Sequence, residues 1–294
     1  MSFPIRLPSD KPLLTVTHPT PSLWIIELHN GTDNRLTTAF ITSAIIPALD
    51  AVERDWRNSW RAAAQTSKDE QGGKGALIIV GNRGQHKFFS NGLDYENAVK
   101  NPFFFPNVFN PMLYRLFTFP IPTVAAINGH CFAGGMMLSL SCDYRVMTDG
   151  STRNAWMCMN EVSLRVGFTS SGQNINFTIY LKVHFGASWP LPFGLIARAK
   201  VTDATILRKI ALEGHRFTPK EAVQWGLIDH IASGDTEGVL SKAQEVAEAV
   251  GGQAKAGAYG LIRSGLHTDV LEALQKELPR SSVALDDAYA KARL

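Results

Sequence analysis

Hydrophobic residues fall into short continuous runs in the first half of the chain and into helical repeats toward its end. LLTVT (13–17) and LWIIEL (23–28) are rich in β-branched and large apolar residues, and the intervening HPTPS is turn chemistry, so residues 1–30 read as a β-hairpin. Residues 37–64 carry a helical pattern with Thr37 or Thr38 as N-cap, and Pro47 predicts a kink or a fresh start there. QTSKDEQGGKG (65–75) is polar and glycine-rich and reads as an exposed loop. ALIIVG (76–81) is continuously apolar, as expected of a strand covered on both faces.

The alternation recurs. PTVAAING (122–129) predicts a second buried strand, CFAGGMMLSLSC (131–142) a helix apolar nearly all round, and YRVMT (144–148) a third strand. Strand, glycine-bearing loop, helix and strand in that order predict an α/β fold with right-handed crossovers and a mostly parallel sheet. From residue 204 the pattern is helical, through TDATILRKIALEG, TPKEAVQWGLI, GVLSKAQEVAEAV and HTDVLEALQKELPR. We therefore divide the chain into a core over 1–200 and a helical C-terminal region over 201–294.

Composition narrows the function classes. At 294 residues and 45% apolar, the chain is long enough to bury a sizeable core. Its 29 Lys and Arg against 26 Asp and Glu leave a net charge of +3, which excludes a nucleic-acid protein that works by bulk charge. A local basic patch for one anionic group remains open. Cys131, Cys142 and Cys158 sit in apolar surroundings without CxxC spacing, which argues against disulfides, against a metal site, and for a reducing compartment.

The longest apolar stretch, 121–142, is broken by Asn128, His130 and glycines, so no membrane span is expected. The opening MSFPIRLPSDK lacks the apolar run of a secretory signal. The ending Ala292-Arg293-Leu294 has the small-basic-leucine form of a peroxisomal address; without a receptor reading it, a cytoplasmic location follows.

Three stretches concentrate candidate chemistry: Lys87 to Asp94 (KFFSNGLD), Ile127 to Met137 (INGHCFAGGMM), and Met157 to Val162 (MCMNEV). The glycine pair lacks the Lys-Ser/Thr of a triphosphate cradle, no G-x-G-x-x-G occurs, and no G-x-S-x-G elbow exists. His130, beside Gly129, reads as structural rather than as a base. Glycines at helix starts do leave backbone bare, so that unpaired N–H groups can meet a negative charge. Two such groups aimed at one point form an oxyanion hole.

KFFSNGLD, AINGHCFAGGMMLSLSCDYRV and EAVQWGLIDH, together with Asn34-Arg35-Leu36-Thr37, resemble the crotonase (enoyl-CoA hydratase/isomerase) superfamily over residues 13 to about 235. The resemblance implies a spiral of ββα turns and a helical C-terminal region that builds trimers, often paired into hexamers. It implies an acyl-CoA thioester substrate, coenzyme A arriving as part of that substrate with no separate cofactor, and no nucleic-acid or membrane partner. By motif, the oxyanion N–H groups fall on Leu93 and Gly134. The adenine lies against the backbone of Phe89–Asn91, with Arg35 and Lys87 at the cofactor mouth. The acyl slot falls to the FFFPNVF run (103–109), Phe117 and Phe119, residues that equally suit an ordinary core.

The hydratases' two glutamates align with Met137 and Glu161, so one carboxylate is left. That pattern resembles the Δ3-Δ2-enoyl-CoA isomerase branch, in which the glutamate shuttles a proton between C2 and C4. Leu164 is followed by Arg165 where the branch carries glycine, and about four extra residues lie between Asp143 and Glu161. Glu96 is a minor alternative base, and Asp94 reads as a helix-start residue. The alternatives are a hydratase-type enzyme of fatty-acid or secondary metabolism, and a catalytically degenerate acyl-CoA-binding subunit.

Overall fold

The computed structural model describes residues 2–65, 72–159, 165–170, 173–178, 189–276, 287–288 and 290–292. Its strands are β1 (Ile5–Leu7), β2 (Leu14–Thr20), β3 (Leu23–Leu28), β4 (Ala76–Val80), β5 (Phe88–Ser90), β6 (Thr123–Ile127), β7 (His130–Phe132), β8 (Tyr144–Thr148), β9 (Met157–Cys158), β10 (Arg165–Ser170), β11 (Gln173–Thr178) and β12 (His230–Ala232). The helices are α1 (Thr38–Phe40), α2 (Ile46–Ala64), α3 (Tyr95–Lys100), α4 (Asn110–Phe117), α5 (Gly134–Leu140), α6 (Leu191–Lys200), α7 (Ala204–Arg208), α8 (Pro219–Gln224), α9 (Thr236–Gly251), α10 (Tyr259–Leu266) and α11 (Thr268–Gln275).

Seven strands form one sheet in the order β1-β2-β3-β4-β6-β8-β12. β1 to β3 pair antiparallel, and every pairing from β3 through β12 is parallel. The mostly parallel sheet expected from the sequence is present, with the N-terminal hairpin as its antiparallel edge. That hairpin turns later than the HPTPS pattern suggested, because β2 runs through His18, Pro19 and Thr20 before the turn. Pro19 is tolerated there because the register with β3 shifts between Thr17 and Thr20.

The unbroken apolar runs follow from cover on both faces. Within β4, Ala76, Ile78 and Val80 face α9, where they meet Val239, Ala243, Val246 and Ala247. Leu77 and Ile79 point the other way, into the larger core with Trp24, Phe40, Val52, Met136 and Leu138. A period of two therefore leaves no polar position to alternate with.

The expected helix at 37–64 is interrupted. Thr37 caps α1, its hydroxyl accepting from Phe40 N, and a π-helical turn over Ile41–Ile45 follows. α2 begins with Pro47 in its first turn, directly after the π-helical turn that breaks the regular hydrogen-bond ladder. A second boundary differs from expectation: Cys131 and Phe132 belong to β7, and the glycine-rich helix starts only at Gly134. Parallel pairing of β5 with β7, and of β7 with β9, forms a separate three-stranded sheet beside the main one. This small sheet carries the two glycine-bearing loops singled out in the sequence.

Candidate active site

β5 leads into Gly92 and Leu93, and β7 leads into Ala133 and Gly134. The pairing of Phe88 with His130 and of Ser90 with Cys131 sets the two loops side by side. Contact between them is so close that side chains are excluded. A Cβ on Gly92 would lie 2.8 Å from Ala133 Cβ and 3.1 Å from Gly134 N, while one on Gly134 would lie 3.4 Å from Leu93 N. Gly92 also has φ +86°, a conformation that L side chains rarely adopt. Both glycines are needed for this approach.

The peptide groups here have one orientation available. Gly92 O accepts from Leu36 N at 2.8 Å, so in a trans peptide the Leu93 N–H points the opposite way. Ala133 O accepts from Met137 N at 3.1 Å as the first bond of α5, which leaves the Gly134 N–H projecting from the helix start. Ala133 adopts φ 47° and ψ −117°, a strained conformation for a residue with a Cβ, and it makes the turn that presents Gly134. Among the described residues, neither Leu93 N nor Gly134 N donates a hydrogen bond. Two unpartnered backbone donors thus stand together on adjoining loops.

The support beneath them comes from residues whose partners motif spacing did not show. Asn34, fully buried with φ 50°, accepts from Asn30 N and donates to Leu28 O and Phe89 O, both at 3.1 Å. Ser90 Oγ donates to Asn34 O at 2.8 Å and accepts from Gly92 N at 3.2 Å. Asp33 holds Arg35 at 2.9 Å and Asn91 Nδ2 at 2.9 Å. The Asn-Arg-Leu motif marked the segment, but a side chain bonding to residues 55 positions away leaves no trace in local spacing.

Arg35 is half-exposed and also reaches Leu93 O at 3.4 Å, while Lys87 is exposed with Nζ 5.2 Å from the Phe88 ring centroid. The Phe89 ring lies in the core, so only its backbone faces outward chemistry, and its carbonyl is held by Asn34. Asn91 N donates to Asp33 O. Met137 is fully buried within the core. Asp94 is the N-cap residue of α3, as expected, accepting from Asn97 Nδ2, and Glu96 is exposed. Of the aromatic residues considered for an acyl slot, Phe104, Phe109, Phe117 and Phe119 are buried in the main core, whereas Phe103 is exposed. Glu161 lies outside the described residues, two positions beyond Met159. Among the described residues, no cluster of His, Cys, Asp or Glu has the grouping of a metal site.

His130 is a structural residue here. Its ring lies between Trp156 and Phe132, each with centroids 4.9 Å away, and Nδ1 accepts from Trp156 N at 3.2 Å. Burial, reinforced by Lys87, Arg216 and Arg153, pushes the imidazole down to about 4. Between the ordinary value of 6.5 and about 4, the unfolded chain binds a proton that the folded chain refuses, so stability falls as pH falls through that window. We expect His130 to contribute a loss of roughly 2 kcal/mol between pH 7 and 4.5, discounted from the full shift for partial solvation. Denaturant unfolding of wild type and His130→Phe at both pH values checks this, since the variant should show a shallower pH dependence.

Residues 46–176 match the enoyl-CoA hydratase/isomerase family. Over that span the chain is similar to the crotonase superfamily. It is 29% identical to enoyl-CoA delta isomerase 3 of Arabidopsis thaliana over 208 residues, covering 68% of this chain and 76% of the relative. It is 28% identical to the peroxisomal enoyl-CoA delta isomerase 2 of the same plant, covering 68% of this chain and 77% of that protein. The crystal structure of an enoyl-CoA hydratase from Mycobacterium ulcerans superposes with a TM-score of 0.66 at 24% identity, covering 90% of this chain and 95% of that one, a likeness of fold. The matched span 46–176 contains both Leu93 and Gly134.

Proposed function

We propose that this protein is a Δ3-Δ2-enoyl-CoA isomerase, which moves a double bond in an unsaturated fatty acyl-CoA. The observation that carries the reading is the pair of unpartnered donors, Leu93 N–H and Gly134 N–H, held together by glycine contacts. In this scheme the thioester oxygen of a 3-enoyl-CoA accepts from both. Removal of the C2 proton then gives a dienolate whose charge spreads onto that oxygen, where each donor contributes roughly 2.7–4 kcal/mol. Glu161 takes the proton from C2 and returns it at C4, leaving the conjugated 2-enoyl thioester.

A single carboxylate suffices because the reaction adds and removes nothing. A hydratase must also hold and activate water, and buried, apolar Met137 stands where a second glutamate would serve that purpose. Similarity to two plant enoyl-CoA delta isomerases supports the same branch. The test supplies 3-hexenoyl-CoA and crotonyl-CoA in parallel. Growth of the conjugated-enoyl absorbance from the first, with little 3-hydroxybutyryl-CoA from the second, is the expected result; the reverse pattern makes the enzyme a hydratase. Acyl-CoA affinity without turnover on either makes it a degenerate subunit.

Peroxisomal location is part of the proposal, supported by the Ala-Arg-Leu ending and by a relative named peroxisomal. A fluorescent fusion should lose its punctate distribution when residues 292–294 are deleted. An unchanged distribution defeats the assignment.

A further inference from the structure

The end of α5 away from Gly134 is held by an unusual concentration of positive charge. Arg263 Nη2, on α10 of the C-terminal region, donates to Ser141 O at 2.6 Å. Arg145 Nη1 and Lys200 Nζ both donate to Cys142 O, at 3.0 and 3.2 Å. Cations at a helix C-terminus complement its unpaired carbonyls and dipole. Burial, with Arg145 close by, pushes Lys200 down to about 8, a measure of how crowded these charges are.

Arg263 reaches the end of α5 from 122 positions away, against 58 for Lys200 and 3 for Arg145. Its Nε lies 2.8 Å from Asp143 Oδ1 as a close ion pair rather than an aligned hydrogen bond. Asp143 is itself fixed on β6, where its Oδ2 accepts from Thr123 N at 2.8 Å and Thr123 Oγ1 at 2.9 Å. The guanidinium also stands 5.9 Å from the Phe117 ring centroid. α10 cannot drift from this position: a Cβ on Gly260 would lie 2.9 Å from Pro120 Cα and 3.0 Å from Phe119 O.

α5 itself is short, only seven residues, and wholly buried. It begins at an oxyanion donor and ends at the clamp, about 10 Å along its axis. A slide or tilt of so short a helix moves its first N–H against Leu93 by nearly the same amount, and donor alignment within a fraction of an ångström decides how well a developing charge is held.

We propose that Arg263 is a positioning residue for the oxyanion hole, clamping the C-terminal end of α5 through Ser141 O and Asp143 so that Gly134 stays in register with Leu93. The inference rests on the reading of Leu93 and Gly134 as oxyanion donors. It makes the C-terminal helical region a working part of the active site, although Arg263 touches no substrate.

The experiment measures two things in wild type, Arg263→Lys and Arg263→Met: turnover of 3-hexenoyl-CoA, and the enolate absorbance of bound acetoacetyl-CoA, which reports grip on the oxygen. Arg263→Lys keeps a cation but cannot span both partners. It is expected to fold, to lose about tenfold in kcat with KM within about twofold of wild type, and to show a weakened enolate band. Arg263→Met should fall further. A folded Arg263→Lys variant with wild-type kcat and an undiminished enolate band overturns the proposal, even if Arg263→Met only melts earlier or does not fold. Absence of an enolate band in wild type overturns instead the reading of Leu93 and Gly134 on which it stands, and this inference with it.

Discussion

Glu161→Gln should lower kcat for 3-hexenoyl-CoA isomerisation by about 10³-fold, within the range of a positioned acid–base group. The change is nearly isosteric and removes the ability to carry a proton, so acyl-CoA binding should stay near wild type. The expected effect is large because in the proposed scheme both halves of the reaction pass through one group. In that scheme C2 keeps its proton without the carboxylate, and among the described residues neither Met137, which is apolar and buried, nor His130, which spends its Nδ1 on Trp156, replaces it. Glu96, exposed at the start of α3, is the residue to test next. Conversion is followed at the absorbance of the conjugated thioester, and affinity by titration with a saturated acyl-CoA. Full activity in Glu161→Gln would remove this residue from the mechanism.

For Gly92→Ala we expect kcat to fall by about 10²-fold, in line with the loss of one oxyanion donor. The added methyl would meet Ala133 Cβ at 2.8 Å and Phe132 O at 2.9 Å, and φ +86° is unfavourable for alanine. Relief is available only by separating the two loops, which moves Leu93 N away from Gly134 N. The global fold should survive, since the seven-stranded sheet lies outside these contacts; circular dichroism and the thermal midpoint monitor that. Wild-type turnover in a folded Gly92→Ala protein would show that the two N–H groups do not act together.

These two variants probe features with different visibility. The glycines next to apolar runs, the Asn-Glu dipeptide and the Met at the first carboxylate position were readable because each is a local choice of residue type. The strands β4, β6 and β8 were readable because cover on both faces leaves a continuous apolar run. Boundaries were less so. The helix expected from Cys131 starts three residues later because those residues pair with β5 and β9, and a partner strand cannot be seen in the segment's own pattern. The π-helical turn at Ile41–Ile45 likewise keeps the helical hydrophobic pattern while changing its hydrogen bonds.

The support of the site was hidden for the same reason. Asn34 was visible only as the first residue of the Asn-Arg-Leu-Thr motif, yet its amide bridges Leu28 and Phe89 across the fold. Arg263 sits in an ordinary-looking amphipathic helix, and only the packing of Gly260 against Phe119 and Pro120 brings it to Ser141 and Asp143.

Residue order alone settled the chemical vocabulary of this protein: alternating buried strands, bare glycines at two helix entries, and one acid in an apolar context. Those are properties of short segments, governed by side-chain size, charge and backbone freedom. Folding decided the rest, namely which N–H groups were left without acceptors, where their peptides faced, and which distant side chains braced them. Such matters depend on pairings between residues tens to more than a hundred positions apart, and no local spacing encodes a direction in space.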